Sequence, residues 1–426
     1  MRFHPRTVNI NNSPIKLVKR KREAGKKSRV SRKKTALIYC ENQFGLVDGK
    51  TAAALVRHSE IYTIVGIIDS SLAGKDAGEE LGEGKIGVPI FSSLNDALSQ
   101  LSEVPNSYIY GKALLDAYIP SEERALILEA MENGMDIING LHQFFSEDRE
   151  FIQTAAQYDI EIKDIRKPPR LKDLHVFTGQ ISKVNVPVIA VLGTDCACGK
   201  MTTAVELNKT LNNLGIKSVL VATGQTSLMQ GAMYGVSIDA LISQFVIGEI
   251  ENSVIEAFDN ENPDIILVEG QSAVSHPAFM GSLGILKGSM ADGIILQHPP
   301  ARKFRCDFPG LPMPTIKSEI QLIETISDAR VMAIALSHEN LTDEEIQKVI
   351  PEYEKQFHLP TTDALKHGCQ KLVQALSENF PKLSQKLKRE NFIFFSERQS
   401  RKLNHLEGIS EFVHAKNRNC LIPNTR

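Results

Sequence analysis

Short runs of apolar, mostly β-branched residues alternate along the chain with longer stretches in which apolar residues recur every three or four positions. The runs have the length of strands, and the longer stretches have the period of amphipathic helices. Because the runs are apolar throughout, they fit parallel strands that are buried on both faces. The pattern predicts strands at 35–40, 62–68, 88–91, 108–110, 135–138, within 161–185, and at 186–193, 218–222, 265–268, 293–297 and 331–336. Strands that alternate with helices in this way predict an α/β protein built on parallel sheets.

One of these strands leads directly into a glycine-bounded turn and a helix. The strand ends at Gly193, the turn closes at Gly199-Lys200, and the helix runs to about Leu214, where Gly215 is placed to end it. A helix N-terminus directs unpaired backbone N–H groups and a positive dipole end at such a turn, so an anion site is predicted there. The residues that we expect to bind a phosphorylated cofactor are Gly193, Thr194, Asp195, Gly199, Lys200, Met201, Thr202 and Thr203.

This turn differs from the regular Walker A pattern in two respects. Five residues separate Gly193 from Gly199, where the pattern has four, and Met201 stands where a Ser or Thr binds Mg²⁺. Thr202 and Thr203 are the nearest substitutes, but a shift of one helical residue turns a hydroxyl by about 100° around the axis. The sequence therefore predicts a phosphate loop, and it predicts no metal site there.

The length of 426 residues exceeds that of one average domain. A proline-marked crossover within 161–185 separates two series of strands and helices. We therefore predict a Rossmann-like N-terminal domain over 35–180 and a P-loop NTPase-like parallel α/β domain over 181–376. Residues 1–34 are expected to form a basic tail, and residues 377–426 a C-terminal extension.

The net charge of −2 conceals an uneven distribution of charge. Residues 1–34 carry 13 Lys and Arg against one acid, which leaves 36 Lys and Arg against 50 acids in the rest of the chain. A segment of this composition cannot bury a core and is expected to be disordered. It is either a solubilising extension, which we favour, or a contact for nucleic acid or an anionic membrane surface. Apart from such contacts we expect no nucleic-acid partner.

The six cysteines and the hydropathy indicate the compartment. The one close pair, Cys196 and Cys198, has neither the spacing of a zinc site nor that of a C-x-x-C redox motif, so reduced thiols are predicted. No stretch approaches the roughly 18 apolar residues of a membrane span. We therefore expect a cytoplasmic protein that acts on a small-molecule substrate, and we expect a homodimer.

Polar residues follow the predicted strands where the carboxyl ends of parallel strands form a crevice. In the second domain Glu269 is predicted to be a general base or a metal ligand, and His276 and His298 are candidates for proton transfer or for binding a carboxylate. The residues predicted to bind the substrate are Thr223, Gln225, Gln271 and Arg302, together with Asp69 and His142 of the first domain. The plainer alternative is that each polar group marks the transition from a strand to a loop.

The segment from Gly193 to Lys200 resembles the G-T-D-x-x-x-G-K loop of dethiobiotin synthetase. Val268-Glu-Gly270 resembles the acidic end of a strand in the same enzymes. A closer resemblance, from about Thr35 to Leu376, is to the DUF1611 family, whose characterised members are D-glutamate N-acetyltransferases. The resemblance rests on the sequence motifs at 48–52, 68–78, 140–142, 166–169, 223–226, 268–271 and 276–278, and on His298. After Gln271, this chain has Ser272-Ala273 where the family pattern has Gly-Ser.

The resemblance implies acetyl-CoA as the acetyl donor and a small acidic D-amino acid such as D-glutamate as the acceptor. Coenzyme A carries a diphosphate and a ribose phosphate, so a loop without the usual Mg²⁺ hydroxyl suits it. An ATP- and Mg²⁺-dependent ligase or kinase of the dethiobiotin-synthetase type is the alternative, and a non-catalytic nucleotide-binding protein is the third. We further expect the first domain to pack across the phosphate-loop crevice, with independent binding of NAD as the competing interpretation.

Overall fold

The structure, a computed structural model, describes residues 33–113 and 118–389. The expectations for the basic tail and for the end of the C-terminal extension lie outside the described residues, at 1–32 and 390–426. None of the helices in the described part of the chain combines the length and apolarity that crossing a lipid bilayer requires.

The first sheet has six parallel strands in the order β3-β2-β1-β4-β5-β6, which is the strand order of a Rossmann fold. Its strands are β1 (Lys34–Tyr39), β2 (Tyr62–Ile68), β3 (Ile90–Phe91), β4 (Ser107–Tyr110), β5 (Asp136–Asn139) and β6 (Ile162–Asp164). The helices between them are α1 (Lys50–Arg57), α2 (Ala77–Glu80), α3 (Leu94–Gln100), α4 (Ser121–Glu132) and α5 (Arg149–Tyr158).

The second sheet has seven parallel strands in the order β13-β12-β11-β7-β10-β8-β9. Its strands are β7 (Val188–Gly193), β8 (Ser218–Ala222), β9 (Tyr234–Gly235), β10 (Ile265–Glu269), β11 (Gly293–His298), β12 (Arg330–Leu336) and β13 (Thr361–Thr362). The helices are α6 (Lys200–Asn213), α7 (Gln225–Gln230), α8 (Ser243–Glu261), α9 (Gly281–Ser289), α10 (Ile316–Ile326), α11 (Asp343–Phe357) and α12 (Gln370–Asn379). Two parallel sheets with helices between their strands confirm the predicted fold class.

Side chains that alternate along each central strand fill separate cores on the two faces of the sheet. In β7, Val188, Ala190 and Leu192 enter one apolar cluster, whereas Ile189 and Val191 enter the opposite one. This alternation explains why the strands are apolar at every position, as expected of a sheet covered on both faces.

The helix after the phosphate loop is fixed by its apolar face. Ala204, Leu207 and Leu211 are completely buried in the core below β7, and Leu214 packs against the same core. The helix ends where it was predicted to end, since Gly215 adopts a φ of +80°. Packing on this face therefore sets the direction in which the N-terminus of α6 points.

The two domains share a core at their contact. Met229 belongs to α7 in the second domain, yet it is fully buried in the apolar cluster formed by β1, β2 and α1 of the first domain. Nearby, the side chain of Gln230 donates to the carbonyl oxygens of Ala54 and His58, at 2.9 and 3.0 Å. The position of the first domain over the second is thus set by packing as well as by polar contacts.

We expect replacement of Met229 by Ala to lower the free energy of unfolding by about 2–5 kcal/mol, because it leaves a cavity in the core of the other domain. Met233 is 73% exposed, so Met233→Ala serves as the matched control, with an expected change within about 0.5 kcal/mol. Urea unfolding of both variants measures the difference. Equal stabilities of the two variants would contradict the shared core.

Candidate functional site

The predicted phosphate loop lies between β7 and α6. Gly199 has a φ of +104°, a conformation that glycine adopts without steric cost, and it turns the chain into the helix. Lys200 is buried, and its ammonium group donates to the carbonyl oxygen of Asp195 within the same loop. The ammonium group thus lies inside the loop at the N-terminus of α6, where backbone amides favour an anion.

The carboxylate of Asp195 holds the loop against a second segment. It is completely buried and accepts hydrogen bonds from Arg302 at 2.9 Å, from Arg305 at 3.4 Å and from the amide of Cys306 at 2.8 Å. These three donors belong to residues 299–313, which follow β11 and which we call the arginine segment. Opposite charges and satisfied hydrogen bonds together offset the cost of burying these ions.

Arg302 is one of the predicted substrate-binding residues, but its donors are engaged within the protein. Besides Asp195, it donates to the carbonyl oxygens of Cys196 at 2.7 Å and Ala197 at 3.1 Å, and to the carboxylate of Glu339 at 3.0 Å. Each of its three guanidinium nitrogens therefore has a partner. Arg302 holds the loop from the side that does not line the cavity. A direct contact with substrate stays a prediction.

Two threonines of the loop region are also tied to β11. Thr194 Oγ1 lies 2.8 Å from His298 Nδ1, and Thr203 Oγ1 donates to Gln297 Oε1 at 2.6 Å. Burial and then Arg302 lower the pKa of His298 to about 4, so its ring is neutral at physiological pH. Of the two hydroxyls considered as substitutes for the Mg²⁺ ligand, that of Thr203 is therefore bound to Gln297.

A cavity of about 1040 Å³ lies over the loop. The second domain lines it with residues 196–203 of the loop and helix and with residues 269–272 after β10. The first domain lines it with Lys50 at the start of α1, with His142 and with Arg166. The prediction that the first domain packs across the phosphate-loop crevice is confirmed by this shared lining.

Glu269 ends β10, and its carboxylate is the acidic group nearest to the turn after β8. Its Oε2 accepts hydrogen bonds from the amides of Thr223 at 3.0 Å and Gly224 at 3.2 Å. Burial raises the pKa of this carboxyl to about 7, and the hydrogen bonds partly oppose the rise. A carboxyl with this pKa takes up and releases protons near neutral pH, as a general base must.

The backbone after Glu269 approaches the phosphate-loop strand closely. A Cβ on Gly270 would lie 2.0 Å from the carbonyl oxygen of Val191, so only glycine fits there. The glycine brings the following Gln271 to the cavity, where its amide donates to the carbonyl oxygen of Thr223. Glu269 and Gln271 thus both hold the turn that follows β8.

Three more of the predicted substrate-binding residues can now be placed. Gln225 and His142 line the cavity, and burial and Arg166 lower the pKa of His142. Asp69 does not line it. Asp69 is buried in the first domain, where it accepts the amides of Phe44 and Ser71, both at 3.1 Å.

His276 lies behind the loop with Asp195, outside the lining of the cavity. Its Nδ1 accepts the amide of Ala278 at 3.2 Å, and its Nε2 lies 3.7 Å from Asp195 Oδ1. Burial, followed by the charge of Arg305, lowers the pKa of this ring. Of the three predicted catalytic residues, the structure therefore brings only Glu269 to the cavity, and the roles of His276 and His298 stay predictions.

Among the cavity residues that were not predicted, Ser272 has an unusual backbone conformation. Ser272 lines the cavity with a φ of +49°, and in the described part of the chain its buried hydroxyl has no hydrogen-bond partner. Non-glycine residues adopt this conformation at a cost and concentrate at functional sites when they do. The signal in the sequence was the serine at a position where the family pattern has glycine.

The fold and the site define a two-domain α/β protein in which a Rossmann-like domain covers a phosphate loop. Residues 175–373 match the family model described as "Domain of unknown function (DUF1611_C) P-loop domain". Residues 70–168 match the family model described as "Domain of unknown function (DUF1611_N) Rossmann-like domain". Together the matches cover more than half of the chain. The protein belongs to the DUF1611 family, as the sequence predicted.

Two curated relatives carry the name D-glutamate N-acetyltransferase. The one from Tritonibacter scottomollicae is 28% identical over 275 residues, which are 63% of this chain and 80% of the relative. The one from a Pseudoalteromonas species is 29% identical over 276 residues, 63% of this chain and 81% of the relative. A crystal structure of a DUF1611 family protein from Anabaena variabilis is 29% identical, with a TM-score of 0.75 over 81% of this chain and 99% of that one.

The raised pKa of Glu269 predicts a pH-dependent stability. In the unfolded chain this carboxyl ionises near 4.5, and in the folded protein near 7, so between these values the folded state holds more protons. The free energy of unfolding therefore falls as pH rises through this window. We compare the free energy of unfolding of the wild type with that of Glu269→Gln by urea unfolding. The value for the wild type minus that for the variant should fall by about 2–3 kcal/mol from pH 5 to pH 8. A constant difference would show that Glu269 ionises normally.

Proposed function

We propose that the protein is an N-acetyltransferase that moves the acetyl group of acetyl-CoA to the amino group of a small acidic amino acid, such as D-glutamate. The names of the two curated relatives support the class of reaction. The observation that carries the proposal is the cavity, because it joins a phosphate loop and a carboxyl of raised pKa under a wall from the first domain.

In this proposal the phosphate groups of coenzyme A bind at the N-terminus of α6. The amides of the loop and the ammonium group of Lys200 supply donors and positive charge for them. To reach a phosphate, the ammonium group leaves the carbonyl oxygen of Asp195 that it contacts here. Lys200 would neutralise part of the negative charge of these phosphates. This suits a ligand whose phosphates are only bound and not hydrolysed, because no Mg²⁺ is then required at the loop.

Glu269 serves as the general base. An amino acid arrives as an ammonium ion, and it must lose a proton before its nitrogen attacks the thioester carbonyl. The carboxylate of Glu269 accepts that proton, the nitrogen bonds to the acetyl carbon, and coenzyme A leaves as a thiolate, which takes up the second proton that the nitrogen releases. The backbone amides of Thr223 and Gly224 hold this carboxylate through one oxygen.

An ATP- and Mg²⁺-dependent ligase or kinase is the second candidate. It is favoured by one observation, namely that a hydroxyl residue, Thr202, and a carboxyl residue, Glu269, which are side-chain types that bind Mg²⁺, line the same cavity. Incubation of the protein with acetyl-CoA and D- or L-glutamate, and separately with ATP and Mg²⁺, distinguishes the two. Free CoA that appears only with the amino acid supports acetyl transfer, whereas ADP supports the second candidate.

Replacement of Lys200 by Ala is expected to weaken the binding of CoA by roughly ten- to a hundredfold, the loss of one charge-assisted contact. Lys209→Ala is the matched control, because Lys209 lies on the same helix but pairs with Glu206 at the surface. Isothermal titration with CoA measures both affinities. An unchanged affinity for CoA in Lys200→Ala overturns the phosphate-loop assignment.

Replacement of Glu269 by Gln is expected to lower the rate of acetyl transfer by roughly 10²–10⁴ while the affinity for CoA changes little. In the wild type, kcat should rise with pH through about 7, the pKa of Glu269, and the variant should lack this rise. Glu319→Gln is the control, since Glu319 is also buried with a raised pKa but lies outside the lining of the cavity. Full activity of Glu269→Gln would transfer the role of base to another group.

A further inference from the structure

Two thiols meet where the phosphate loop touches the arginine segment. Cys196 belongs to the loop and lines the cavity, and Cys306 belongs to the arginine segment. The thiol of Cys306 lies 3.5 Å from the carbonyl oxygen of Cys196, and Cys306 is the neighbour that contributes most to raising the pKa of the Cys196 thiol. Both residues are only partly buried, and Cys196 also lines the cavity.

The backbones that carry these thiols are fixed relative to each other. The amide of Cys306 donates to the carboxylate of Asp195, and Arg302 donates to the carbonyl oxygen of Cys196 at 2.7 Å. Arg305 adds a contact to the carbonyl oxygen of Thr194 at 3.3 Å. Because these contacts hold the two cysteine residues next to each other, the effective concentration of their thiols is far above that of free thiols.

We propose that Cys196 and Cys306 form a reversible disulfide bond that ties the phosphate loop to the arginine segment and lowers the affinity of the loop for its anionic ligand. The oxidant is a small disulfide such as glutathione disulfide. The thiolate of one cysteine attacks a sulfur of the small disulfide, forms a mixed disulfide and releases one thiolate. The second cysteine then attacks the protein sulfur and releases the other, so that two protein thiols are oxidised and one small disulfide is reduced to two thiols.

The same place offers a second chemistry, which the geometry disfavours. Asp195, Cys196 and His276 lie close enough together to hold a metal ion. However, Arg302 and Arg305 already place two positive charges on Asp195. The amide of Ala278 donates to Nδ1 of His276, so the proton of the neutral ring lies on Nε2, the nitrogen that would have to bind the metal.

A bond between these sulfurs restrains the loop at the residue that faces the cavity. Ala197, which follows Cys196, already has a φ of +46°, and Lys200 must leave the carbonyl oxygen of Asp195 to reach a phosphate. A residue other than glycine adopts such a φ at a cost, and the contact of Lys200 is broken when an anion binds, so the rearrangement on binding involves the loop residues that follow Cys196. A covalent link of about 2.05 Å from Cys196 to the arginine segment opposes that rearrangement.

The bond itself is tested with the full chain, which is reduced, freed of reductant and incubated with glutathione disulfide at pH 7 and pH 8.5. We expect mass spectrometry after digestion without reductant to show the peptide of Cys196 joined to that of Cys306. The contact with Cys306 and burial raise the pKa of the Cys196 thiol, so the bond should form faster at pH 8.5.

Cys196→Ser and Cys306→Ser should each abolish the cross-link. Cys198→Ser is the matched control, because Cys198 lies two residues away on the same loop but contacts the backbone oxygens of Asp195 and Gln297. The cross-link should survive this substitution. A link through Cys198, no link at all, or stoichiometric zinc that is lost in Cys196→Ser and His276→Ala would each overturn the proposal.

The effect on binding rests on the proposed function and is measured separately, by titration of reduced and oxidised protein with CoA. We expect oxidation to weaken binding about tenfold or more, dithiothreitol to restore it, and Cys306→Ser to be insensitive to the oxidant. A cross-linked protein with unchanged affinity would refute control of the loop by the disulfide. If the reduced protein binds no CoA, the proposed function fails, while the result of the peptide mapping stands.

Discussion

The buried carboxylate of Asp195 joins two segments that are more than a hundred residues apart in the sequence. The side chains of Arg302 and Arg305 are buried beside it, with 7% and 6% of their surface exposed, and without its charge both guanidinium groups would lie in a region of low dielectric with less compensation. The loop at the end of β7 therefore takes its shape from a balance of charges rather than from apolar packing alone. Because this balance is satisfied within the protein, Asp195 and the arginine segment need no ordering when a ligand arrives, and the adjustment that binding requires is confined to the loop from Cys196 to Lys200.

Glu269 illustrates the opposite use of burial. Its carboxylate accepts hydrogen bonds from two backbone amides, and burial raises its pKa to about 7, whereas the carboxylate of Asp195 is paired with Arg302 and Arg305. Two acids at the ends of adjacent strands thus differ in their surroundings, and one is suited to holding structure while the other is suited to moving a proton. The strained backbone of Ser272, three residues after Glu269, belongs to the same cavity.

The sequence predicted the elements that depend on local periodicity and on backbone chemistry. The central strands, the phosphate loop and Gly215 at the end of α6 are all of this kind. The two-residue strands β9 and β13 were missed, because so few residues at a sheet edge carry no period. The partners of Arg302 could not be predicted either. A guanidinium group after a strand fits a ligand and a buried carboxylate equally well, and only the folded chain shows that Asp195 and Glu339 are within reach.

The side chain of Met229 also has a consequence for the order in which the chain folds. On the ribosome, β1 to β6 emerge before Met229, which belongs to the apolar cluster of β1, β2 and α1, has been synthesised. Until α7 follows, the nascent first domain exposes an unfilled apolar surface, which is the kind of surface that chaperones recognise. The completion of the first domain therefore waits for a residue encoded well inside the second, so that the two domains mature as one unit during translation.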